Sequence, residues 1–140
     1  MNDLIKFFPS FVGSKAQWIK HEKLREATGL RENHIVELFC GSAVISASLA
    51  KSSLLVDIDP IICKVLTRFD EQIVPEVFTV EDYFEKREAE NWWQYTYCLQ
   101  KMSFSGVFRY NAAKNKYNVP IKKNKDGTYY LTEISIRVNI

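Results

Sequence analysis

Two short stretches hold the residues whose types and spacing could do chemistry. In VELFCGS, residues 36–42, an acid (Glu37), an aromatic (Phe39) and a glycine (Gly41) alternate, and Asp57 ends the apolar run SLLV twenty residues beyond Glu37. A glycine lets backbone approach a ligand, a helix beginning behind it offers free amides, and an acid on the neighbouring strand can take both hydroxyls of a ribose. Such a set suits an adenosine-containing cofactor. A pyrophosphate loop needs G-x-G-x-x-G, whereas this loop has a single glycine, so NAD is disfavoured. The same residues have a purely structural reading, with Gly41 as a turn glycine and Asp57 as a helix-capping acid ahead of Pro60. Spacing alone leaves the two readings level.

The second stretch is FSGVFRYNAAKNKYNVP, residues 104–120, which mixes aromatics, glycine, asparagines and lysines with one arginine. It reads as neither a clean helix nor a clean strand. From Arg109 to Lys125 there are six basic residues and no acid, while residues 70–90 carry eight acids against Lys86 and Arg87. The net charge of +2 hides this separation, and the basic end is a candidate polyanion surface. GSK at 13–15 is not a P-loop, because G-x-x-x-x-G-K-[ST] is absent and no strand pattern precedes Gly13.

The elements that must position these residues follow from patterning. A chain of 140 residues with 46% hydrophobic and 26% charged side chains has the composition of one folded domain with one core. No apolar run is long enough to span a membrane and the first residues lack the order of a signal peptide, so a cytoplasmic location is expected. Cys40, Cys63 and Cys98 are odd in number and widely spaced, which supports buried thiols over a disulfide framework or a zinc site, and no metal is expected. HIVELFC (34–40) and SLLVDI (53–58) read as buried parallel strands, with SAVISASLA as a short helix between them. IICKVLTRF has a helical period that Pro60 can start from the first turn. IVPEVFTV (73–80) reads as a third strand and residues 81–102 as one aromatic-rich helix. The pattern is β-α-β-α-β-α, a parallel α/β sheet. Beyond Met102, residues 117–121 and 128–131 are β-prone runs joined by KKNKDG, which predicts a basic hairpin turning at Asp126-Gly127. LTEISIRVNI reads as the start of another helix with Thr132 as N-cap.

With these pieces in order, the chain resembles the Dam-type DNA adenine methyltransferases. FPSFVGSKAQWI is similar to the family's amino-terminal cofactor motif, placing Phe11, Gly13 and Lys15, with Ser14 replacing a glycine. VELFCGSAVIS is similar to its E-P-F-x-G-x-G loop, placing Glu37, Phe39 and Gly41, with Ala43 where the second glycine usually stands. LLVDIDP resembles the D-I-N stretch, which passes the ribose-holding role to Asp57. FSGVFRYN and YNVP resemble F-N-G-L-x-R-Y-N and F-N-V-P, the most specific of the four matches. The resemblance implies an incomplete Rossmann-like methyltransferase sheet that binds S-adenosylmethionine over residues 1–101, followed by a target-recognition segment over 102–140. It implies double-stranded DNA as partner: Arg109 reads a base edge, that of a guanine, and Phe104, Ser105 and Val107 lie beside the target pair. Lys114, Lys116, Lys122 and Lys123 meet phosphates, and Asn111 and Asn118 belong to the same surface.

The family's catalytic D-P-P-Y, which holds the exocyclic amine of a flipped adenine, is absent from these residues. The chain alone is therefore expected not to methylate DNA, and no catalytic residue is assigned. A complementing chain that carries the motif, self-association, a truncated product and a non-catalytic DNA-binding or regulatory remnant all fit this expectation.

Overall fold

The computed structural model describes residues 16–41 and 43–135, and the chain divides into two compact units, Met1–Thr67 and Arg68–Ile140. In the first unit a 3₁₀ turn, Ala16–Lys20, leads into helix α1, Glu22–Thr28. Gly29 ends α1 in the left-handed conformation, at φ 63°. Strand β1 (His34–Leu38), helix α2 (Val44–Leu49) and strand β2 (Ser52–Val56) then form one β-α-β unit. β1 and β2 are parallel, in register from His34 opposite Ser52 to Leu38 opposite Val56. Helix α3 follows at Pro60–Thr67.

Period-two alternation gives the two strands two different faces. Ile35 packs against the cluster of Val44, Ile45 and Leu49 from α2, which Ile19 and Leu24 complete. On the other face Val36 lies opposite Leu54 and Leu38 opposite Val56, and all four aliphatics remain exposed. The apolar runs in the sequence are thus real parallel strands. Their second apolar face stays exposed among the described residues.

The second unit contains strand β3 (Val77–Thr79), helix α4 (Val80–Glu88), a 3₁₀ turn (Trp92–Tyr95), helix α5 (Thr96–Met102) and strands β4 (Tyr110–Asn111), β5 (Lys116–Tyr117) and β6 (Glu133–Ser135). α4 starts with a capping box: Thr79 accepts from the Asp82 N–H, and Asp82 accepts from the Thr79 N–H at 2.9 Å. Glu81 and Asp82 stand in its first turn and Lys86 and Arg87 in its last, which complements the helix dipole. The core is aromatic. Trp92, Tyr83, Tyr117 and Phe78 are fully buried, and the Trp92 ring lies 5.2 Å from Tyr110, 5.8 Å from Tyr117 and 6.0 Å from Phe108, centroid to centroid.

Several expectations are corrected here. The third strand does not extend the parallel sheet among the described residues: β3 spans three residues and pairs antiparallel with β6, Phe78 opposite Ile134. The residues before it are held elsewhere, since Ile73 N–H donates to the Gln94 carbonyl at 2.8 Å and the Gln72 side chain donates to the Trp93 carbonyl at 2.9 Å. Residues 81–102 form two helices, because Ala89 is extended (ψ 149°) and the chain re-enters the core through adjacent buried tryptophans. Glu133–Ser135 is strand rather than helix, with Val80 N–H bonded to the Thr132 carbonyl at 3.1 Å. Among the three free thiols Cys40 and Cys98 are buried, whereas Cys63 is half-exposed. The turn at Asp126-Gly127 does form, with Gly127 at φ 87°, but its arms are 122–124 and 128–130, bridged at Lys123 and Tyr129, while the 117–121 run pairs instead with Tyr110 and Ser103. No helix among the described residues is long and apolar enough to cross a membrane.

Burial, reinforced by the Asp82 charge, pushes the Cys98 thiol up to about 12, and burial pushes the Tyr83 phenol up to about 12 against the opposing pull of Arg87. Tyr117 is raised by burial as well. The folded state thus holds these protons more tightly than the unfolded chain does. Their contribution is complete below the unfolded values and is lost as pH rises through the folded ones. Thermal unfolding of the Arg68–Ile140 unit is expected to be insensitive to these groups up to about pH 9 and to fall steeply between about pH 9 and 12. A melting temperature that stays flat through that window would exclude the assignment.

Candidate functional site

The loop that leaves β1 is built from alternating left-handed residues: Phe39 at φ 53°, Gly41 at φ 50° and Ala43 at φ 56°. Only glycine adopts this region without cost. The Cys40 N–H continues the ladder to the Val56 carbonyl at 2.9 Å, and Ala43 N–H closes the turn on the Cys40 carbonyl at 2.7 Å. These bonds bring Gly41 to Asp57. Gly41 N–H donates to Asp57 Oδ2 at 2.9 Å, and Asp59 N–H donates to Asp57 Oδ1 at 2.9 Å. One carboxylate therefore ties together the loops that follow two adjacent parallel strands.

The capping role that the sequence left open for Asp57 belongs to Asp59. Its Oδ1 accepts from Ile61 N–H at 2.9 Å and Ile62 N–H at 3.2 Å, with Pro60 as the first helical residue of α3. Glu37 points the other way, buried against α2, where Oε2 accepts from Ser46 N–H at 2.9 Å and from the Ser46 hydroxyl. Phe39 presents an exposed ring beside the loop, and Asp57 is half-buried. A carboxylate has about four lone-pair sites, so Asp57 keeps acceptor capacity after its two backbone bonds. The residue set fits a hydroxyl-rich ligand at the carboxyl edge of the strands. Phe11, Gly13 and Lys15 lie outside the described residues.

In the second unit the stretch from 104 to 120 forms a loop closed at its base. Phe104 N–H donates to the Pro120 carbonyl at 2.8 Å and Lys122 N–H to the Met102 carbonyl at 2.9 Å, while Ser103 bridges Ile121. Inside it β4 and β5 pair antiparallel, Tyr110 opposite Tyr117. The Tyr117 hydroxyl donates to the Val107 carbonyl at 2.6 Å, and Trp92 Nε1–H donates to Asn115 Oδ1 at 3.1 Å. Ser105 and Gly106 turn the chain at φ 56° and 62°, and Phe104 is exposed.

Arg109, Lys114 and Lys123 are exposed, whereas Val107, Asn111, Lys116, Asn118 and Lys122 are half-buried. Several already have partners within the fold. Asn111 Oδ1 accepts from Lys114 N–H at 3.0 Å in the hairpin turn, and Lys116 Nζ pairs with Glu88 at 2.7 Å. That bond holds the Glu88 carboxyl below its usual range. Arg109 bonds Asn118. Lys122 Nζ lies 3.8 Å from the Tyr130 ring centre and Lys123 Nζ 5.6 Å from that of Tyr129. Sequence reasoning missed both tyrosines and Glu88. The tyrosines were legible, since a hairpin turning at Asp126-Gly127 sets Lys123 opposite Tyr129 and Lys122 opposite Tyr130.

Among the described residues no three His, Cys, Asp or Glu side chains converge as a metal site would require. No protein-family model, curated protein or solved structure matches this chain.

Ala43 carries a Cβ in a left-handed conformation, so Ala43→Gly is expected to stabilise the Met1–Thr67 unit by about 0.5–1 kcal/mol, and Gly41→Ala to cost about 1 kcal/mol or more. Amide hydrogen exchange over residues 34–56 reads both effects locally. Weaker protection in Ala43→Gly would contradict the described loop.

Proposed function

We propose that these residues form the cofactor-side and target-recognition portion of an S-adenosylmethionine-dependent DNA adenine methyltransferase. They supply binding, while the methyl-transfer step needs a D-P-P-Y motif that this sequence does not contain. The observation that carries the reading is the Gly41 N–H to Asp57 bond, which joins the two loops on which the resemblance sets a nucleoside ligand. S-adenosylmethionine supplies an activated methyl group when bound. Asp57 would hold the ribose hydroxyls through its remaining lone pairs, Gly41 would admit the ligand to the backbone, and the exposed Phe39 ring would offer apolar contact.

The nucleic-acid half of the proposal draws on a different set of residues. Arg109 is exposed on a loop whose base is closed, with Lys114 exposed in the adjoining turn and Lys122 and Lys123 on the basic hairpin. Planar guanidinium on a held backbone suits a base edge, and mobile ammonium groups suit phosphates. The exposed aliphatic face of β1 and β2 supports association with a further chain that packs over it.

Calorimetry with S-adenosylhomocysteine is expected to show binding that weakens by about 1.5–3 kcal/mol in Asp57→Ala. Because Asp57 also braces two loops, Asp57→Asn with an unchanged melting temperature serves as the companion. Undiminished affinity in both removes Asp57 from the site. Fluorescence anisotropy with duplex DNA is expected to give a negative slope of log affinity on log salt, and Arg109→Ala to cost about 1–3 kcal/mol on a preferred duplex. Methyl transfer to adenine-containing duplexes by the 140 residues alone would overturn the division of labour.

A further inference from the structure

Arg109 and Asn118 sit one step beyond the Tyr110–Tyr117 pair of the β4–β5 hairpin, directly across from each other. Asn118 N–H donates to the Arg109 carbonyl at 3.3 Å, which continues the ladder. The side chains then meet on the same side. Arg109 Nε–H donates to Asn118 Oδ1 at 2.9 Å, and Nη2–H donates to the Asn118 carbonyl at 3.0 Å.

Those two bonds occupy one edge of the guanidinium, the edge shared by Nε and Nη2. They leave the Nη1 end of the fork with no partner among the described residues, on a side chain that is exposed to solvent. Free arginine side chains carry rotamer entropy that must be given up on binding. Here much of that loss has already been taken in the unbound protein. An end-on fork with one remaining hydrogen on Nη2 and those of Nη1 matches the paired O6 and N7 acceptors of a guanine in the major groove.

We propose that Asn118 is the positioning residue for base reading by Arg109: it aims the guanidinium and does not itself contact a base or phosphate. The assignment rests on the DNA-recognition reading above and refines it. Asn118 was expected to belong to the DNA-contacting surface, whereas its side-chain oxygen is turned inward to the arginine. The selective pressure on this position is then for an oxygen acceptor at a fixed reach, which Asp satisfies and Ala does not. Asp would add a charge that repels DNA equally on every sequence.

The test begins with selection from a randomised duplex library using the intact chain, followed by anisotropy on the preferred duplex and on a scrambled duplex of equal length. The wild-type chain is expected to prefer the selected duplex by at least about tenfold. Asn118→Ala is expected to lower that ratio at least roughly threefold while leaving affinity for the scrambled duplex and the salt slope unchanged, which a merely structural residue would not do. Asn118→Asp is expected to keep the ratio and weaken both duplexes alike. Retention of the full ratio in Asn118→Ala, together with its loss in Arg109→Ala, would overturn the positioning role and leave DNA recognition standing. Equal weakening on both duplexes in Asn118→Ala would make Asn118 a phosphate contact and also overturn it. A wild-type chain with no preference for any duplex would remove the underlying reading and the positioning role with it.

Discussion

A phenol oxygen taken out of water has to be hydrogen-bonded, and at Tyr117 that requirement organises most of the Arg68–Ile140 unit. Its ring is fully buried against Trp92, Phe108 and Tyr83, so the hydroxyl has no access to solvent. It finds the Val107 carbonyl at 2.6 Å and the Ser103 hydroxyl at 3.0 Å. Three separated points of the chain are thereby fixed to one atom. Ser103 marks the end of α5, Val107 the chain entering β4, and Tyr117 the close of β5. Tyr83 adds a second such tie from α4, its hydroxyl donating to the Val119 carbonyl. The exposed loop between 104 and 120 holds its course because its buried side is bolted by these two phenols.

The Met1–Thr67 unit solves a similar problem with carboxylates. Glu37 and Asp57 stand near the ends of adjacent parallel strands, and each accepts a backbone amide of a neighbouring segment, Ser46 for Glu37 and Gly41 for Asp57. Bracing and ligand binding are compatible uses of one group, because a carboxylate that is already held loses little freedom when a hydroxyl arrives. The alternation of left-handed residues at 39, 41 and 43 makes the Asp57 brace possible by turning the Gly41 N–H toward it. Ala43 is the strained member of the three. A sequence comparison reads it as the mildest replacement for glycine, while its φ of 56° gives that replacement a backbone cost.

Much of this was legible from the residues. The apolar runs at 34–40 and 53–58 hold the parallel pair they foretold though not its burial on both faces, Pro60 opened α3, and the Asp126-Gly127 turn lies between short basic arms. What could not be read came from long-range competition. Nothing in Val77–Thr79 announces that its partner is a three-residue strand more than fifty positions on. The break between the two helices is set by the extended Ala89, after which Trp92 and Trp93 enter the core in a 3₁₀ turn, and the aromatic-rich pattern of 81–102 does not announce it. Asp57 and Asp59 are two acids of one stretch with opposite duties, one spanning loops and one capping a helix, and only geometry separates them. Asn118 carries the same lesson: the resemblance set it on the DNA-facing surface, and its side-chain oxygen is held by another side chain of the protein.

The closure of the 104–120 segment by bonds from Phe104 to Pro120 and from Lys122 to Met102 has an evolutionary consequence. Its two stems stand side by side, so the exposed residues between them, Ala112 to Lys114 at the tip, can be exchanged or lengthened without shifting the end of α5 or the chain that departs toward the lysine-rich turn. New residues there would need to keep the buried Tyr117, the Phe108 and Tyr110 rings against Trp92 and the Trp92–Asn115 bond. Diversification at the rim can proceed while the chassis beneath keeps its shape.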